Sequence, residues 1–161
     1  MQRQKSDKTA SKLICENRKA RFDYEITDTY EAGMVLTGSE VKSLRQGKAQ
    51  LANAYADIRG GEVILLQAHI APYEKGGYAN HEPLRQRKLL LAKKEIHHLI
   101  GKIQTKGFSL VPLKMYFKGE YAKILIGLGK GKKAHDKRET IKDRDSKREM
   151  DKSVKTNLRK A

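Results

Sequence analysis

The sequence FDYEITDTYEAGMVL, residues 22–36, decides the fold class of this chain. Its odd-numbered positions are mostly charged residues, threonine or glycine, and its even-numbered positions are mostly apolar. The even-numbered positions are Phe22, Tyr24, Ile26, Asp28, Tyr30, Ala32, Met34 and Leu36. This period-two alternation predicts a long β-strand with one buried face. Gly33 is a candidate bulge that would allow so long a strand to bend.

Five further segments, all C-terminal to this one, are also predicted to be β-strands. The predicted strands are residues 22–36, 55–59, 63–73, 87–91, 108–117 and 121–129. Gly60-Gly61 and Lys118-Gly119-Glu120 separate neighbouring strands and predict two hairpins. Pro112 predicts an edge position or an irregularity in its strand, because proline cannot donate a ladder hydrogen bond.

Helical patterns interrupt the strands at two places. Ser39 can cap a short helix that runs through Leu44 and ends at Gly47. A second helix, closed by Gly107, has apolar residues at helical spacing: Ile96, Leu99, Ile100 and Ile103. A mainly β chain with about six short antiparallel strands and two or three short helices predicts a small closed barrel. An oligonucleotide-binding (OB-like) barrel fits this pattern, and a split sandwich is the alternative.

Charge divides the chain into three zones. The formal net charge is +16, from 35 basic and 19 acidic residues. Residues 1–12 carry a net +3 and no apolar periodicity, so we expect a disordered N-terminus. Residues 13–130 carry a net +7 and almost all large apolar side chains, so they form the predicted barrel. Residues 131–161, called the tail here, carry a net +6 and few apolar side chains.

The tail has helix-compatible ion pairs but too little apolar surface to fold alone. Ordering a residue costs about 1–2 kcal/mol, which a few spaced apolar side chains cannot offset. We therefore expect the tail to be disordered when free and helical when bound to a surface. Gly127, Gly129 and Gly131 precede it as a G-x-G-x-G string, which we interpret as a strand end and flexible hinge.

Composition also restricts the function. The positive surplus indicates a polyanionic partner, and no apolar run is long enough for a bilayer span. The single cysteine and the polar N-terminus favour a reducing cytoplasm. No convergent catalytic group is recognisable, and adjacent helical residues such as His97 and His98 diverge too far to share a metal. We expect no enzymatic activity, no cofactor and no metal.

Four basic clusters lie on the predicted barrel or at its end. They occupy residues 18–21, 42–48, 85–88 and 130–133. Together they predict a continuous phosphate-binding face. Glu31 lies on the outward side of the long strand, and an acid on such a surface is typical of contact with a base or a 2′-hydroxyl. From the residues alone, the chain is an RNA-binding barrel with a tail.

Six short strings go further, because they occur together in one order. They are NRKAR (17–21), YEAG (30–33), GSEVKSLR (38–45), RKLLL (87–91), KGKK (130–133) and HDKR (135–138). In this combination the chain resembles the small protein B (SmpB) family, the bacterial partners of transfer-messenger RNA (tmRNA). The resemblance covers about residues 13 to 145 and loosens beyond Glu139.

The resemblance implies an OB-fold barrel that binds the tRNA-like domain of tmRNA. Such a complex enters ribosomes stalled on defective mRNA, with the protein standing in for the missing anticodon arm. The tail then probes the empty decoding site and the mRNA channel, and the incomplete peptide is tagged for proteolysis. Delivery together with the GTP-bound elongation factor that carries aminoacyl-tRNA is also implied.

The resemblance also implies particular site residues. The tmRNA-binding positions are Asn17, Glu31 and Leu91, with phosphate contacts from Arg18, Lys19, Arg21, Arg87 and Lys88. The Asn17 amide would face a base edge, and Leu91 would pack against an unstacked base. The decoding-centre positions are Lys130, Gly131, Lys132, Lys133, His135, Asp136, Lys137 and Arg138. Ile141, Met150 and Val154 are predicted substitutes for the family's aromatic contact with the channel wall.

Three other readings compete with this one. The main rival is another OB-type translation factor or ribosomal protein that binds ribosomal RNA without tmRNA. An RNA-modifying enzyme is disfavoured by the missing catalytic constellation, and a membrane-surface protein comes last.

Overall fold

The computed structural model describes residues 11–105 and 107–160 as nine strands, four α-helices and a short 3-10 turn at Gly77–Ala79. In chain order the elements are β1 (Ser11–Glu16), α1 (Arg18–Asp23), β2 (Tyr24–Met34), α2 (Gly38–Arg45), β3 (Ala49–Gln50), β4 (Tyr55–Arg59), β5 (Glu62–Leu66), β6 (His69–Ile70), β7 (Arg87–Leu90), α3 (Lys93–Ile103), β8 (Phe108–Lys118), β9 (Tyr121–Gly131) and α4 (Ala134–Lys160). The predicted N-terminal disorder concerns residues 1–12. Residues 1–10 lie outside the described part, and residues 11–12 belong to β1.

The main sheet closes into a barrel. Its antiparallel strands follow the order β1-β8-β4-β5-β7-β2-β9, and β9 also pairs with β8. The interior is filled by fully buried side chains, chiefly Leu65, Leu89, Leu110, Met115, Ile124, Ile126 and Leu128. α2 and α3 add Leu44 and Leu99 to the same core. Each such residue contributes roughly 1.5–3 kcal/mol through burial. The predicted antiparallel, mainly β fold with short helices is confirmed.

β2 contains one irregularity, at Thr27. Ile26 pairs with Gly129 and Asp28 pairs with Leu128, so Thr27 is an extra residue in the ladder. Its hydroxyl donates to the Leu128 carbonyl oxygen at 3.1 Å. Because of this bulge, Ile26 and Asp28 point to opposite faces although both have even numbers. Even positions before the bulge therefore pack towards α1, and those after it face the barrel interior.

The prediction of a bulge at Gly33 was wrong. Gly33 continues the regular ladder on both sides, opposite Leu90 in β7 and Lys123 in β9. A Cβ at this position would lie 3.4 Å from the Leu90 side chain, so the glycine serves close packing between strands.

The glycine string at the end of β9 is explained by the β2 bulge. A Cβ on Gly129 would lie 2.7 Å from the Glu25 carbonyl oxygen, and one on Gly127 would lie 3.1 Å from Ile26. Both glycines are thus required by the close approach of β2. The predicted hinge is wrong for these two residues, which lie inside a paired strand, whereas Gly131 does end it.

The turn signals agree well with the structure. Gly60 and Gly61 have φ values of 58° and 76°, as a tight hairpin turn requires. The ladder of β8 is irregular between Pro112 and Lys114, which confirms the irregularity predicted from the proline.

The N-cap of α2 differs from the prediction. Thr37 occupies that position, and its N–H donates to Glu40 Oε2 at 2.8 Å. Ser39 lies inside the helix, where its hydroxyl hydrogen-bonds His81 Nδ1 at 2.9 Å. The helix ends before Gly47, whose φ of 71° suits glycine, as predicted.

The tail forms one helix of 27 residues, α4. From residue 141 to 158 its side chains are exposed, including Ile141, Met150 and Val154. The boundary predicted at residue 131 lies at the last residue of β9. The expected change from disorder to helix on binding stays a prediction. Among the described helices, none is long and apolar enough to cross a bilayer.

Candidate nucleic-acid interface

Glu31 lies on the outer surface of the sheet formed by β1, β8, β9 and β2. The strand registers place its neighbours on the same outer side, and we call this set the Glu31 face. Its members are Leu13, Glu31, Lys114, Tyr116, Lys118, Tyr121 and Lys123. The Tyr116 hydroxyl donates to Glu31 Oε2, and Lys118 Nζ lies 3.4 Å from Glu31 Oε1. The carboxylate is therefore held in one orientation among lysines.

Electrostatics keep this carboxylate ionised. The hydrogen bond from Tyr116, helped by the charges of Lys118 and Lys123, lowers the pKa of Glu31 below its usual value against a smaller effect of burial. Burial, followed by the acceptor Glu31, raises the pKa of Tyr116. At neutral pH the pair is thus a carboxylate and a protonated phenol. The remaining lone pairs of Glu31 can accept hydrogen bonds from a base N–H or a 2′-hydroxyl.

A depression of about 400 Å³ adjoins Glu31. It is lined by Glu31, Lys118, Gly119, Glu120, Tyr121 and Lys123. The Tyr121 side chain is 74% exposed. An exposed ring beside two ammonium groups can stack on an unpaired base while the lysines bind phosphate. The sequence analysis missed Tyr116, Lys118, Tyr121 and Lys123, although they alternate along the second predicted hairpin and so share one face.

The structure places Leu90, rather than Leu91, beside this face. Leu90 is 52% exposed and lines a second depression with Gly33 and Lys123. Leu91 is half-buried and packs against the core. The predicted contact of Leu91 with an unstacked base therefore stays a prediction, and the exposed leucine at this edge is its neighbour.

Arg87 is not available to phosphate, contrary to the prediction. Its side chain is fully buried, with Nε 2.8 Å from Glu40 Oε1 and Nη1 donating to the Ala68 carbonyl oxygen at 2.8 Å. Arg85 binds the same carboxylate through two nitrogens, at 3.0 and 2.7 Å. Lys88, next in sequence to Arg87, is exposed and pairs with Glu62 at 2.6 Å.

Asn17 is also a structural residue in this conformation. Its Oδ1 accepts from the Ala20 N–H at 3.2 Å, which caps α1. Its Nδ2 donates to the carbonyl oxygens of Leu51 at 3.1 Å and Pro112 at 3.2 Å. The side chain is buried, and both amide donors are used inside the protein. The predicted use of this amide on a base edge would require these bonds to break.

The helix that Asn17 caps was missed by the sequence analysis, because it is short and overlaps the alternating stretch. α1 packs through Ala20 onto Val111, Leu113 and Ile26, on the outer side of the sheet. Leu125 borders this cluster and pairs with Glu31. α1 thus covers one end of the surface on which Glu31 lies. It exposes three predicted RNA-binding residues there: Arg18, Lys19 and Arg21.

Replacing Asn17 with alanine is expected to lower the free energy of unfolding by about 2–4 kcal/mol, measured by urea denaturation. Loss of an N-cap costs about 1 kcal/mol, and each of the two buried hydrogen bonds from Nδ2 contributes about 0.5–1.5 kcal/mol. Asn53→Ala, which removes an exposed amide close to the same helix, is the control and should leave stability unchanged. Equal stability of the two variants would contradict the anchoring role of Asn17.

The predicted decoding-centre residues lie at the junction of β9 and α4. Lys130 is the last residue but one of β9, and its Nζ lies 4.8 Å from the centre of the Phe108 ring. Lys132 and Lys137 approach the C-terminal end of α1, through Arg21 and Asp23. Lys133, His135 and Arg138 are exposed. The structure therefore gathers these residues at one edge of the barrel, beside α1.

Within the described ranges, one group of side chains could approach a metal ion. His135, Asp136 and Glu139 offer ligand atoms within 4.8 Å of one another at the start of α4. All three are exposed, and His135 Nδ1 lies 3.7 Å from Glu139 Oε1 as an i, i+4 pair. Side-chain pairing on the surface of a helix accounts for this arrangement.

The environment of Cys15 disfavours a reactive thiol. It lies half-buried in β1, and burial raises its pKa to about 11 against a hydrogen bond from the backbone of Met115. At neutral pH the thiolate is a minor species, so nucleophilic attack from this residue is disfavoured.

The closed antiparallel barrel, its lysine-rich outer face around a fixed carboxylate and its basic tail define a protein that binds nucleic acid through a rigid body and an extended arm. The family model described as SmpB protein matches residues 14–156. The chain therefore belongs to the SmpB protein family.

Individual relatives agree with this assignment. The chain is 54% identical over 151 residues to the SsrA-binding protein of Shouchella clausii, covering 94% of this chain and 97% of that protein. It is 58% identical over 146 residues to the SsrA-binding protein of Gloeothece citriformis, covering 90% and 94%. A solved structure described as "tmRNA-SmpB: a journey to the center of the bacterial ribosome" contains a chain that is 57% identical, with a TM-score of 0.63. That match covers 74% of this chain and 85% of the other.

Proposed function

We propose that this chain binds tmRNA and acts with it on the ribosome in trans-translation, as an RNA-binding protein without catalytic activity. Membership of the SmpB family supports the partner, since its relatives are SsrA-binding proteins and its structural neighbour is an SmpB chain with tmRNA. A protein that acts on the ribosome functions in the cytoplasm, so we infer a cytoplasmic location.

The observation that carries the proposal is the Glu31 face. A carboxylate among lysines repels phosphate, so its presence on this face favours contact with a base or a 2′-hydroxyl. Tyr116 and Lys118 fix its position, so the acceptor is preorganised before RNA arrives. Its exposed neighbour Tyr121 offers a stacking surface.

The barrel and the tail have different roles in this proposal. The Glu31 face, with Lys88 and the basic residues of α1, holds the tRNA-like domain of tmRNA. The tail then enters the empty decoding site and mRNA channel, where an anticodon arm and mRNA would otherwise lie. Lys133, His135 and Arg138 are exposed for contact with ribosomal RNA, and Ile141 and Met150 lie further along α4 for the channel wall. Delivery accompanies the GTP-bound elongation factor that carries aminoacyl-tRNA.

Glu31→Arg is expected to weaken tmRNA binding although it adds positive charge. The substitution removes the fixed acceptor and places a fourth cation beside Lys114, Lys118 and Lys123, and Tyr116 loses its hydrogen-bond partner. Direct readout groups of this kind contribute about 1–3 kcal/mol, so the dissociation constant should rise about tenfold or more. Filter binding or fluorescence anisotropy at fixed salt measures the change.

The matched control is Glu82→Arg, which makes the same charge change at an exposed acid in the loop before β7. It should leave specific binding unchanged or slightly tighter. Glu31→Arg binding as tightly as the control would refute a reading role for Glu31.

Sequencing the RNA that co-purifies with the native protein separates this proposal from its rivals. Strong enrichment of tmRNA is expected. Recovery of mainly ribosomal RNA without tmRNA enrichment would instead indicate a ribosomal protein or another translation factor, and the proposal would fail.

A further inference from the structure

The start of the tail is bound to the C-terminal end of α1. The Lys132 backbone N–H donates to the Asp23 carbonyl oxygen at 2.8 Å, which extends the β2–β9 pairing by one residue. Lys132 Nζ donates to the Arg21 carbonyl oxygen at 3.3 Å. Lys137 Nζ lies 3.2 Å from Asp23 Oδ1 and 6.0 Å from the centre of the Phe22 ring. Lys132, between β9 and α4, and Lys137, in the first turn of α4, therefore contact the same short segment, residues 21–23.

That segment is suited to cations for three separate reasons. The last carbonyls of a helix carry partial negative charge, and Asp23 adds a full negative charge at the same end. The face of the Phe22 ring adds a favourable quadrupole for an ammonium group. Asp23 is only partly exposed, with 24% of its side-chain surface accessible, so solvent screens this pair less than a fully exposed one.

The two lysine contacts constrain direction as well as position. Lys132 precedes α4, and Lys137 lies about one turn inside it, so contacts at both points define the axis of the helix as it leaves the barrel. Lys132 Nζ also lies 3.3 Å from Thr140 Oγ1, one turn further along. From residue 141 to 158 every side chain is exposed, so the direction of α4 is set at its beginning.

α1 is itself rigidly attached to the barrel. Asn17 fixes its first turn to Leu51 and Pro112, and Ala20 is buried against the sheet. The position of the tail is thus connected, through Asp23 and α1, to the same outer surface that carries Glu31.

We propose that Asp23 is a positioning residue for the tail. It holds Lys137, and with it the first turns of α4, so that the tail leaves the barrel in the direction required to enter the decoding site while the Glu31 face holds tmRNA. This inference rests on the proposed function. It assigns to Asp23 a role in tagging and none in tmRNA affinity.

The direction of the first turns of α4 can be measured in the free protein by pulsed electron paramagnetic resonance. Spin labels on cysteines introduced at Asn53 and Lys142, both exposed, report the distance from the barrel to the turn that follows the Lys137 contact, in a Cys15→Ser background. Asp23→Lys should broaden or shift the distance distribution, and Asp23→Asn should do so to a smaller extent. The double variant Asp23→Lys with Lys137→Asp should restore the distribution, because it recreates the pair with reversed charges.

Functional assays test the second half of the proposal. Asp23→Lys should reduce tagging of stalled peptides several-fold while its tmRNA affinity stays at the level of the control. The control is Asp28→Lys, the same charge change at an exposed position in β2, the strand that follows α1. The reversed pair should recover tail direction but not full tagging, because Lys137 is also a proposed ribosome contact.

Several results would overturn the inference. An unchanged distance distribution in Asp23→Lys would show that Asp23 does not set tail direction. A changed distribution with normal tagging would show that the direction has no consequence, and equal losses of tmRNA binding and tagging would assign Asp23 to RNA binding. Absence of tmRNA binding by the unmodified chain would instead refute the proposed function, and the distances would still test the role of Asp23.

Discussion

A chain that ends after Lys133 is expected to bind tmRNA and to lose tagging of stalled peptides completely. The barrel needs nothing beyond β9, which ends at Gly131, and Lys132 still donates to the Asp23 carbonyl oxygen. The Glu31 face and α1 both lie on the part that remains. Because the deletion removes net positive charge, non-specific affinity and its salt dependence should fall slightly. Specific binding should therefore be compared at two salt concentrations, and tagging measured in a reconstituted translation reaction.

A second truncation controls for the general effect of shortening. A chain that ends after Met150 keeps the start of α4 and all the predicted decoding-centre residues, and it should retain part of the tagging activity. Tagging by the chain ending after Lys133 would refute the tail hypothesis. Loss of tmRNA binding by that chain would mean that the tail contributes to tmRNA recognition.

Glu40→Gln is expected to lower the free energy of unfolding by about 3–5 kcal/mol, the range for removing one partner of a buried ion pair. Glu40 and Arg87 have no exposed side-chain surface, and Arg85 binds the same carboxylate. Glutamine retains the size of the side chain but leaves the buried Arg87 charge without a counterion. Equilibrium unfolding in urea measures the difference.

Glu62→Gln is the matched control for this experiment. Glu62 pairs with Lys88, the residue that follows Arg87 in β7. Both side chains of this pair are almost half exposed. Exposed pairs contribute about 0–1 kcal/mol. If Glu40→Gln destabilised the protein no more than Glu62→Gln, the buried cluster would have no special role in stability.

The same cluster predicts a dependence on acid. Burial raises the pKa of Glu40, but the hydrogen bonds from Arg85 and the Thr37 N–H, together with the charge of Arg87, outweigh it and lower the pKa to about 2. The ordinary value is 4.5, so the contribution of Glu40 to stability is complete above that pH and is lost as the pH falls towards 2. The stability difference between the unmodified chain and Glu40→Gln should shrink across this interval.

Much of the fold follows from local sequence signals. The Gly60-Gly61 hairpin, the β8–β9 hairpin and the helix at α3 agree with the predictions, because turn glycines and apolar periodicity act over a few residues. The bulge at Thr27 could not be placed from the sequence, since Thr27 and Thr29 occupy equivalent odd positions of the same strand. α1 was missed because six residues are too few to show helical periodicity within an alternating stretch.

The candidate site was harder to predict in detail. The outward position of Glu31 followed from strand alternation, and its exposure agrees with that. Arg87 looked like its neighbour Lys88 in the sequence, because its counterion Glu40 lies 47 residues away and only the fold brings the two together. Asn17 was placed correctly in a family string, but its hydrogen bonds to Leu51 and Pro112 depend on tertiary structure. Long-range partners decide which polar residues are available to RNA.

The length of α4 has a consequence for reach. A helix rises 1.5 Å per residue, so its 27 residues extend about 40 Å. The protein can therefore act about 40 Å from the surface on which it holds its RNA. Each helical turn added or removed changes that distance by about 5.4 Å without altering the RNA-binding surface of the barrel. Tail length, independent of tail sequence, thus determines how deeply the protein samples a channel.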